Sequence, residues 1–107
     1  MKTLTEIQEE HSIWAAKNFP STQLWQPTLG VAEEAGELCH AVLKLSQGIR
    51  TNEDHEEALK DSIGDITTYL LHICSLLGYN FKEIINDTWE TVSKRDWTIN
   101  KEKGIKE

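Results

Sequence analysis

The sequence predicts an all-α fold, with one domain of four helices over residues 1–97 and a mobile tail at 98–107. Three observations favour it. No stretch alternates apolar and polar residues as a half-buried strand would. Apolar residues recur instead at spacings of three and four, and prolines and polar runs separate the periodic segments. The 107 residues are the length of a single domain.

Two helices are predicted in the N-terminal half. The first spans residues 3–18, where Thr5 and Gln8 have the spacing of a capping box. A loop that contains two prolines follows. The second helix is predicted to begin at Thr28 as its N-cap and to end at Gly48.

Two more helices are predicted in the C-terminal half. The third begins near residues 52–54 and ends at Leu77, with Gly78 as its C-cap. The fourth begins after Asn80, a residue type favoured at the N-cap, and runs to about Trp97.

The third predicted helix is apolar around most of its surface, which predicts burial on several sides. Its regular stripe consists of Leu59, Ile63, Ile66, Leu70, Ile73 and Leu77, and Leu71, Cys74 and Leu76 widen it. In so short a chain, this width predicts that two protomers share the core. A homodimer or homotetramer is therefore expected.

Composition excludes some classes of protein. The formal net charge is −7, which argues against a sequence-independent nucleic-acid binder, because such proteins need a basic face. No apolar run is long enough to predict a membrane span. The N-terminus has no apolar signal region, and the two cysteines have no CxxC spacing. A cytoplasmic protein with reduced thiols is the expectation.

Two predicted helices each carry an acidic cluster, formed by Glu33, Glu34 and Glu37 on the second and by Asp61 and Asp65 on the third. Like charges at these spacings weaken a helix, so the arrangement needs a reason. Gly36 and Gly64 lie within the clusters and predict that the two helices approach closely. Converging carboxylates would bind a hard divalent cation, Mg²⁺ or in its place Mn²⁺. The alternative is a solvated acidic face.

The segment "LGVAEEAGELCHAVLK", followed one helix later by "DSIGDITTYL", resembles the MazG-like all-α nucleoside triphosphate pyrophosphohydrolases. The resemblance extends over roughly residues 8–97. That family carries EExxE on one helix and ExxD on the next, which bind Mg²⁺ for hydrolysis of a nucleotide. The resemblance implies a four-helix MazG-like bundle that cleaves a (d)NTP to the (d)NMP and pyrophosphate, a nucleotide-pool housecleaning reaction.

The resemblance also implies roles for particular residues. The metal ligands it implies are Glu33, Glu34, Glu37, Asp61 and Asp65, with Glu34 also the base that activates water. Asp65 matches the aspartate of ExxD, whereas the glutamate position is occupied by Ser62. Asp61, one residue earlier, supplies a carboxylate in helical register with Asp65, which makes the motif DxxxD.

Other residues are candidates for substrate contacts. Lys44, Arg50, Lys94 and Arg95 are candidate phosphate partners, and Trp25 is a candidate to stack on the base. His72 continues the face of Asp61 and Asp65, where it is either a site residue or a histidine at a packing interface.

Three alternatives stay open. A non-catalytic helical module that binds a nucleotide or a partner is favoured by Ser62 at a ligand position. A ferritin-like oxidase is disfavoured, because Glu37 and His40 form the single Glu-x-x-His pair where such bundles need two. A phosphoribosyl-ATP pyrophosphohydrolase shares the fold and the motifs.

Overall fold

The computed structural model describes residues 1–104, which form four α-helices and no strand. The helices are α1 (Leu4–Asn18), α2 (Trp25–Gln47), α3 (His55–Leu77) and α4 (Phe81–Val92). The predicted all-α class and the number of helices are therefore confirmed. No helix within residues 1–104 is both long enough and apolar enough to cross a membrane.

A capping box does begin α1, but its residues are not the predicted ones. Thr3 accepts a hydrogen bond from the Glu6 amide, and the Glu6 carboxylate accepts one from the Thr3 amide. The predicted pair of Thr5 and Gln8 was wrong by two residues. Gln8 is buried and has another role, described below.

The second helix starts four residues earlier than predicted, with Leu24 and not Thr28 at the N-cap position. Trp25 is its first residue, and Pro27 lies within its first turn, where a missing amide hydrogen costs nothing. Thr28 is therefore inside the helix, and its hydroxyl donates to the Leu24 carbonyl. The other end was predicted correctly, because Gly48 adopts φ 66° and closes α2.

The caps of α3 and the start of α4 agree with the prediction. Asp54 caps α3 by accepting from the Glu57 amide, and Gly78 ends that helix at φ 74°. Asn80 caps α4 by accepting from the Glu83 amide. The predicted end at Trp97 was wrong, because α4 ends at Val92.

Turns replace the end of the predicted fourth helix. The Asp96 carboxylate accepts hydrogen bonds from the amide and hydroxyl of Thr98, and the Asp96 amide donates to the carbonyl of Gly104. Trp97 lies against Gly104, where a Cβ atom would be 2.6 Å from the indole ring. The mobile tail predicted for 98–107 includes residues 105–107, which lie outside the described residues.

The long helices α2 and α3 form an antiparallel hairpin, which is the largest contact between elements. The N-terminal helix α1 packs on α3 and α4 at one end of this hairpin. A small buried cluster of Leu71, Cys74 and Phe81 lies there, with Leu70 against it. The hairpin sets the position of the acidic residues, and α1 adds a wall beside them.

One side chain connects α1 to the turn between α3 and α4. The Gln8 amide nitrogen donates to the carbonyl of Tyr79 at 2.8 Å and to the Ser75 hydroxyl at 3.3 Å. Its amide oxygen accepts from the backbone N–H of Phe81 at 2.9 Å. Gln8 therefore satisfies backbone groups at the end of one helix and the start of the next.

Replacement of Gln8 by alanine is expected to lower the free energy of unfolding by about 2–4 kcal/mol. The change leaves a backbone donor and acceptor without partners in a largely buried place, at roughly 1–3 kcal/mol each. Urea titration followed by circular dichroism measures the loss. The neighbouring exposed change Glu9→Ala serves as the control and should cost less than about 0.5 kcal/mol.

Candidate functional site

The three glutamates of α2 form one compact cluster of oxygen donors. One carboxylate oxygen from each of Glu33, Glu34 and Glu37 lies within 4.8 Å of the others. Helical spacing brings them together, because residues three and four apart share a face. Glu34 is only 8% exposed, whereas Glu33 and Glu37 are open to solvent.

Charge and burial act together on Glu34. Burial raises the pKa of its carboxyl above the ordinary value, and the charges of Glu37 and Asp65 raise the pKa further. The charge of Glu33 has a smaller effect in the same direction. Asp65 on α3 lines the same cavity as Glu34, but it is not a member of the compact three-glutamate cluster.

A buried oxygen in this cluster lacks a partner. Among the residues described, Oε2 of Glu34 is buried and accepts no hydrogen bond. An orphaned acceptor of this kind is costly unless something else satisfies it. Together with the neighbouring carboxylates it forms an all-oxygen donor set, which is the set that Mg²⁺ and Mn²⁺ prefer. The residues therefore fit a hard divalent cation.

A cavity of about 660 Å³ opens beside the cluster, between α1, the following loop and the hairpin. Glu34 and Asp65 form its acidic end. The remaining lining residues are largely aromatic or polar: His11, Trp14, Phe19, Pro20, Ser21, Thr22, Gln26, Pro27, Thr68, Tyr69 and His72. Its volume lies within the range usual for small-molecule sites.

Four rings form a continuous wall of this cavity. His72 and His11 have ring centroids 5.2 Å apart, His11 and Trp14 are 5.6 Å apart, and Trp14 and Phe19 are also 5.6 Å apart. Burial lowers the pKa of both histidines below the ordinary 6.5, and the charge of His72 lowers that of His11 further. Nδ1 of His11 is buried without a hydrogen-bond partner among the described residues.

The histidine pair predicts a pH dependence of stability. Because both pKa values are lower in the folded state, the stabilisation is complete above 6.5 and is lost as the pH falls through the lower folded values. Urea midpoints measured at about pH 8 and pH 5.5 should therefore differ, with the lower midpoint at acid pH. The double variant His11→Gln, His72→Gln should show a smaller difference. An unchanged difference would contradict the assignment.

The close approach of the hairpin helices occurs at Gly30, not at the predicted glycines. A Cβ atom on Gly30 would lie 2.6 Å from the ring of Tyr69. Gly36 and Gly64 have no atom within 4 Å of such a position, so the prediction that they permit close approach was wrong. The absence of a side chain at Gly30 allows the Tyr69 ring to lie between the helices and line the cavity.

The second acidic motif is divided between two environments. Both aspartates are exposed, but Asp65 lines the cavity, whereas Asp61, one turn earlier, is not among the lining residues described. Ser62, which stands where an ExxD motif would have its glutamate, is 3% exposed and buried in the packed interior. Thr68 and His72 continue the Asp65 face along the cavity, as their spacing predicts.

The candidate substrate-binding residues lie outside the cavity lining that is described. Trp25 begins α2 and is exposed, and Arg50 is in the α2–α3 connection at φ 53°. Lys44 donates to Gln47 at 3.2 Å, and Lys94 pairs with Glu90 at 3.2 Å. Arg95 follows α4 and is exposed.

Sequence reasoning missed most of the aromatic wall. His11 and Trp14 are three residues apart on α1, a spacing that places them on one face, and Phe19 follows the helix. That spacing was the available signal. Nothing local, however, indicates that this face of α1 lies beside Asp65 and His72, which are more than fifty residues away in sequence.

No family model, curated protein or solved structure was found to match this chain. The geometry of the site and the resemblance in its motifs therefore carry the functional argument.

Proposed function

We propose that the chain is a Mg²⁺-dependent nucleoside triphosphate pyrophosphohydrolase of MazG-like fold, which cleaves a (d)NTP to the (d)NMP and pyrophosphate. One observation carries this proposal. A buried carboxylate oxygen without a partner lies within an acidic cluster that opens onto an aromatic cavity. Cation ligands and a surface for a nucleobase are thus adjacent.

The cation would be held by Glu33, Glu34 and Glu37 together with Asp65, and Asp61 is a further candidate ligand one turn away. When bound, Mg²⁺ would neutralise phosphate charge and lower the pKa of water. Glu34, the buried member, is the proposed base that accepts a proton from the attacking water. The leaving group is pyrophosphate when attack occurs at the α-phosphorus.

Electrostatics support a cation at this place. A triphosphate is strongly anionic, and the chain has a formal net charge of −7. No lysine or arginine lines the cavity in the described part of the chain. Phosphates would therefore meet carboxylates unless a metal ion lay between them, which is the usual arrangement for Mg²⁺ and phosphoryl substrates.

The aromatic wall would receive the nucleoside. Trp14, Phe19 and Tyr69 offer ring faces, and stacking on such faces is worth about 1–3 kcal/mol per base. The histidines offer ring nitrogens that could hydrogen-bond to a base edge. Trp14, which lines the cavity, is therefore our proposed stacking residue, whereas the sequence candidate was Trp25.

The wider proposal includes assembly and location. We expect a homodimer or homotetramer in the cytoplasm, in which two protomers share the core around α3. Lys44, Arg50, Lys94 and Arg95 remain candidates for phosphate contacts if assembly or substrate binding brings them near a site.

The deciding experiment measures pyrophosphate release from a panel of standard and modified nucleoside triphosphates and phosphoribosyl-ATP, with Mg²⁺ and with EDTA. Mg²⁺-dependent release of pyrophosphate together with a monophosphate is the expected result. Release of single phosphate would place the attack elsewhere and count against the proposal. Turnover of phosphoribosyl-ATP alone would assign the related reaction.

A preformed cation site predicts that Mg²⁺ raises the melting temperature. The ion binds the folded state and relieves repulsion among the carboxylates, so the shift should grow with concentration by mass action. At about 100 times the dissociation constant the stabilisation is about 2.7 kcal/mol, which corresponds to a shift of roughly 12 °C for a chain of this length. Differential scanning fluorimetry measures it, and Glu37→Gln should reduce the shift. No shift at millimolar Mg²⁺ would argue against the site.

A second candidate function is a non-catalytic nucleotide-binding module of the same fold. The buried Ser62 favours it, because a carboxylate of the family pattern is missing from that position. This reading predicts that nucleotides quench the fluorescence of Trp14 in the presence of Mg²⁺ while the panel gives no product.

A further inference from the structure

We infer that His11 and His72 form a second metal site in the cavity, which binds a divalent transition ion of the Zn²⁺ type through ring nitrogens. This goes beyond the proposed reaction, because it concerns a different ion held by nitrogen instead of oxygen, and it does not depend on hydrolysis. The ion would join α1 to α3. Its other coordination positions would be filled by water or by a ligand in the cavity.

The distance between the two rings is that of two imidazoles bound to one ion. Their centroids are 5.2 Å apart, and their planes meet at 66°. With Zn–N bonds of about 2.0–2.1 Å and a tetrahedral angle at the ion, the centroids of two bound imidazoles lie about 5 Å apart. The χ2 torsion of histidine is broad, so rotation of the rings can direct one nitrogen of each toward a common point while the helices stay in place.

One nitrogen of the pair is buried without a partner. Among the described residues, none forms a hydrogen bond with Nδ1 of His11. An unsatisfied buried polar atom costs about 1–3 kcal/mol, and a purely apolar ring could pack at this position without that cost. Coordination of an ion through Nδ1 would satisfy the atom, so we assign it as the ligand atom of His11.

Both rings are available to a cation. They are half-buried and line the cavity of about 660 Å³, through which an ion can reach them. Burial lowers the pKa of both histidines, so at neutral pH each ring is uncharged and has one nitrogen lone pair free for a metal. In the part of the chain that the structure describes, no lysine or arginine lines the cavity and would repel the ion.

This histidine site differs from the carboxylate cluster in position and in ion preference. Asp65 and His72 are seven residues apart on α3, which is roughly 10 Å along the helix axis. Within residues 1–104 the one group of three or more potential ligand residues consists of the three glutamates, so neither histidine belongs to it. Imidazole suits Zn²⁺, whereas carboxylate oxygens suit Mg²⁺ and Mn²⁺. Millimolar Mg²⁺ should therefore occupy the carboxylates and leave the histidines to Zn²⁺.

Isothermal titration calorimetry with Zn²⁺ at pH 7.5, in millimolar Mg²⁺, tests the pair. His11→Gln and His72→Gln should each weaken binding at this site by roughly 10-fold or more, because loss even of groups that only orient metal ligands costs 10–100-fold. Either change breaks the same chelate, so the double variant should bind little more weakly than the single variants. The control Cys39→Ser, His40→Gln removes an exposed thiol and the exposed histidine beside it, and should keep this binding.

Hydrogen exchange of the wild type gives a second test, which does not depend on the folding of any variant. If partial unfolding of α1 releases the ion, exchange of α1 amide hydrogens should slow about 10-fold at ten times the dissociation constant. The proposal is overturned if Zn²⁺ does not slow this exchange, or if binding needs only one of the two histidines or neither. Loss of binding in the Cys39 and His40 control also overturns it. None of these readouts involves a nucleotide, so they stand apart from the test of the proposed reaction.

Discussion

Substitution of Glu37 by glutamine is expected to reduce Mg²⁺-dependent pyrophosphate release on the order of 100-fold or more. Glutamine keeps the size of the side chain and one oxygen donor but removes the charge that holds the cation. Loss even of residues that only orient metal ligands commonly costs 10–100-fold. Steady-state release of pyrophosphate, measured for both proteins at the same Mg²⁺ concentration near the half-saturating value of the wild type, gives the effect.

The same variant should fold at least as well as the wild type. Glu37 is exposed, and its removal takes one negative charge away from Glu33 and Glu34. Unchanged circular dichroism with lost activity would therefore separate a site effect from unfolding. Glu56→Gln, an exposed glutamate near the start of α3, is the charge-matched control and should retain activity. Full activity in Glu37→Gln would remove this residue from the site.

The variant Gly30→Ala is expected to lose about 1–3 kcal/mol of stability and much of its affinity for substrate. The new methyl group would lie 2.6 Å from the Tyr69 ring, so the ring or the helix must move. Because Tyr69 lines the cavity, its displacement changes the space available to a nucleoside. Urea unfolding and KM for the best substrate of the panel are the two readouts.

A double-mutant cycle identifies the cause. In a Tyr69→Ala background the ring that the new methyl group would meet is gone, so Gly30→Ala should no longer destabilise the protein. The coupling energy between the two substitutions should be of order 1–3 kcal/mol. Gly36→Ala on the same helix meets no atom within 4 Å and should stabilise the protein by about 0.5–1 kcal/mol. Equal effects at Gly30 and Gly36 would contradict the packing argument.

The sequence was most informative where structure depends on neighbouring residues. Asp54, Asn80, Gly48 and Gly78 end or begin helices through contacts within one turn, and all four were predicted. The end of α4 was not predicted correctly, because the apolar spacing continues to Trp97. The helix stops at Val92, and beyond it Asp96 bonds to Thr98 and Gly104, which lie outside any helical register.

The candidate site shows the same difference between features that depend on neighbouring residues and features that depend on long-range packing. Glu33, Glu34 and Glu37 are neighbours in helical register, so their cluster follows from spacing alone. The cavity is assembled from α1, a loop and two further helices, and no spacing rule brings His11 to His72. The glycine prediction failed for a related reason. A glycine shows where close approach is possible, but only the packed structure shows that Tyr69 uses Gly30.

The Gln8 contacts predict which part of the molecule unfolds first. They join residues more than sixty positions apart, whereas α2 and α3 are joined by a short connection and share the largest contact between elements. Amide hydrogens of α1 should therefore exchange with solvent through a partial unfolding that leaves α2 and α3 intact. His11 and Trp14 belong to α1. The partial unfolding would therefore remove these two rings from the wall of the cavity, while the carboxylates on α2 and α3 stay in place. Loss of the Gln8 hydrogen bonds is therefore expected to make this partial unfolding more frequent.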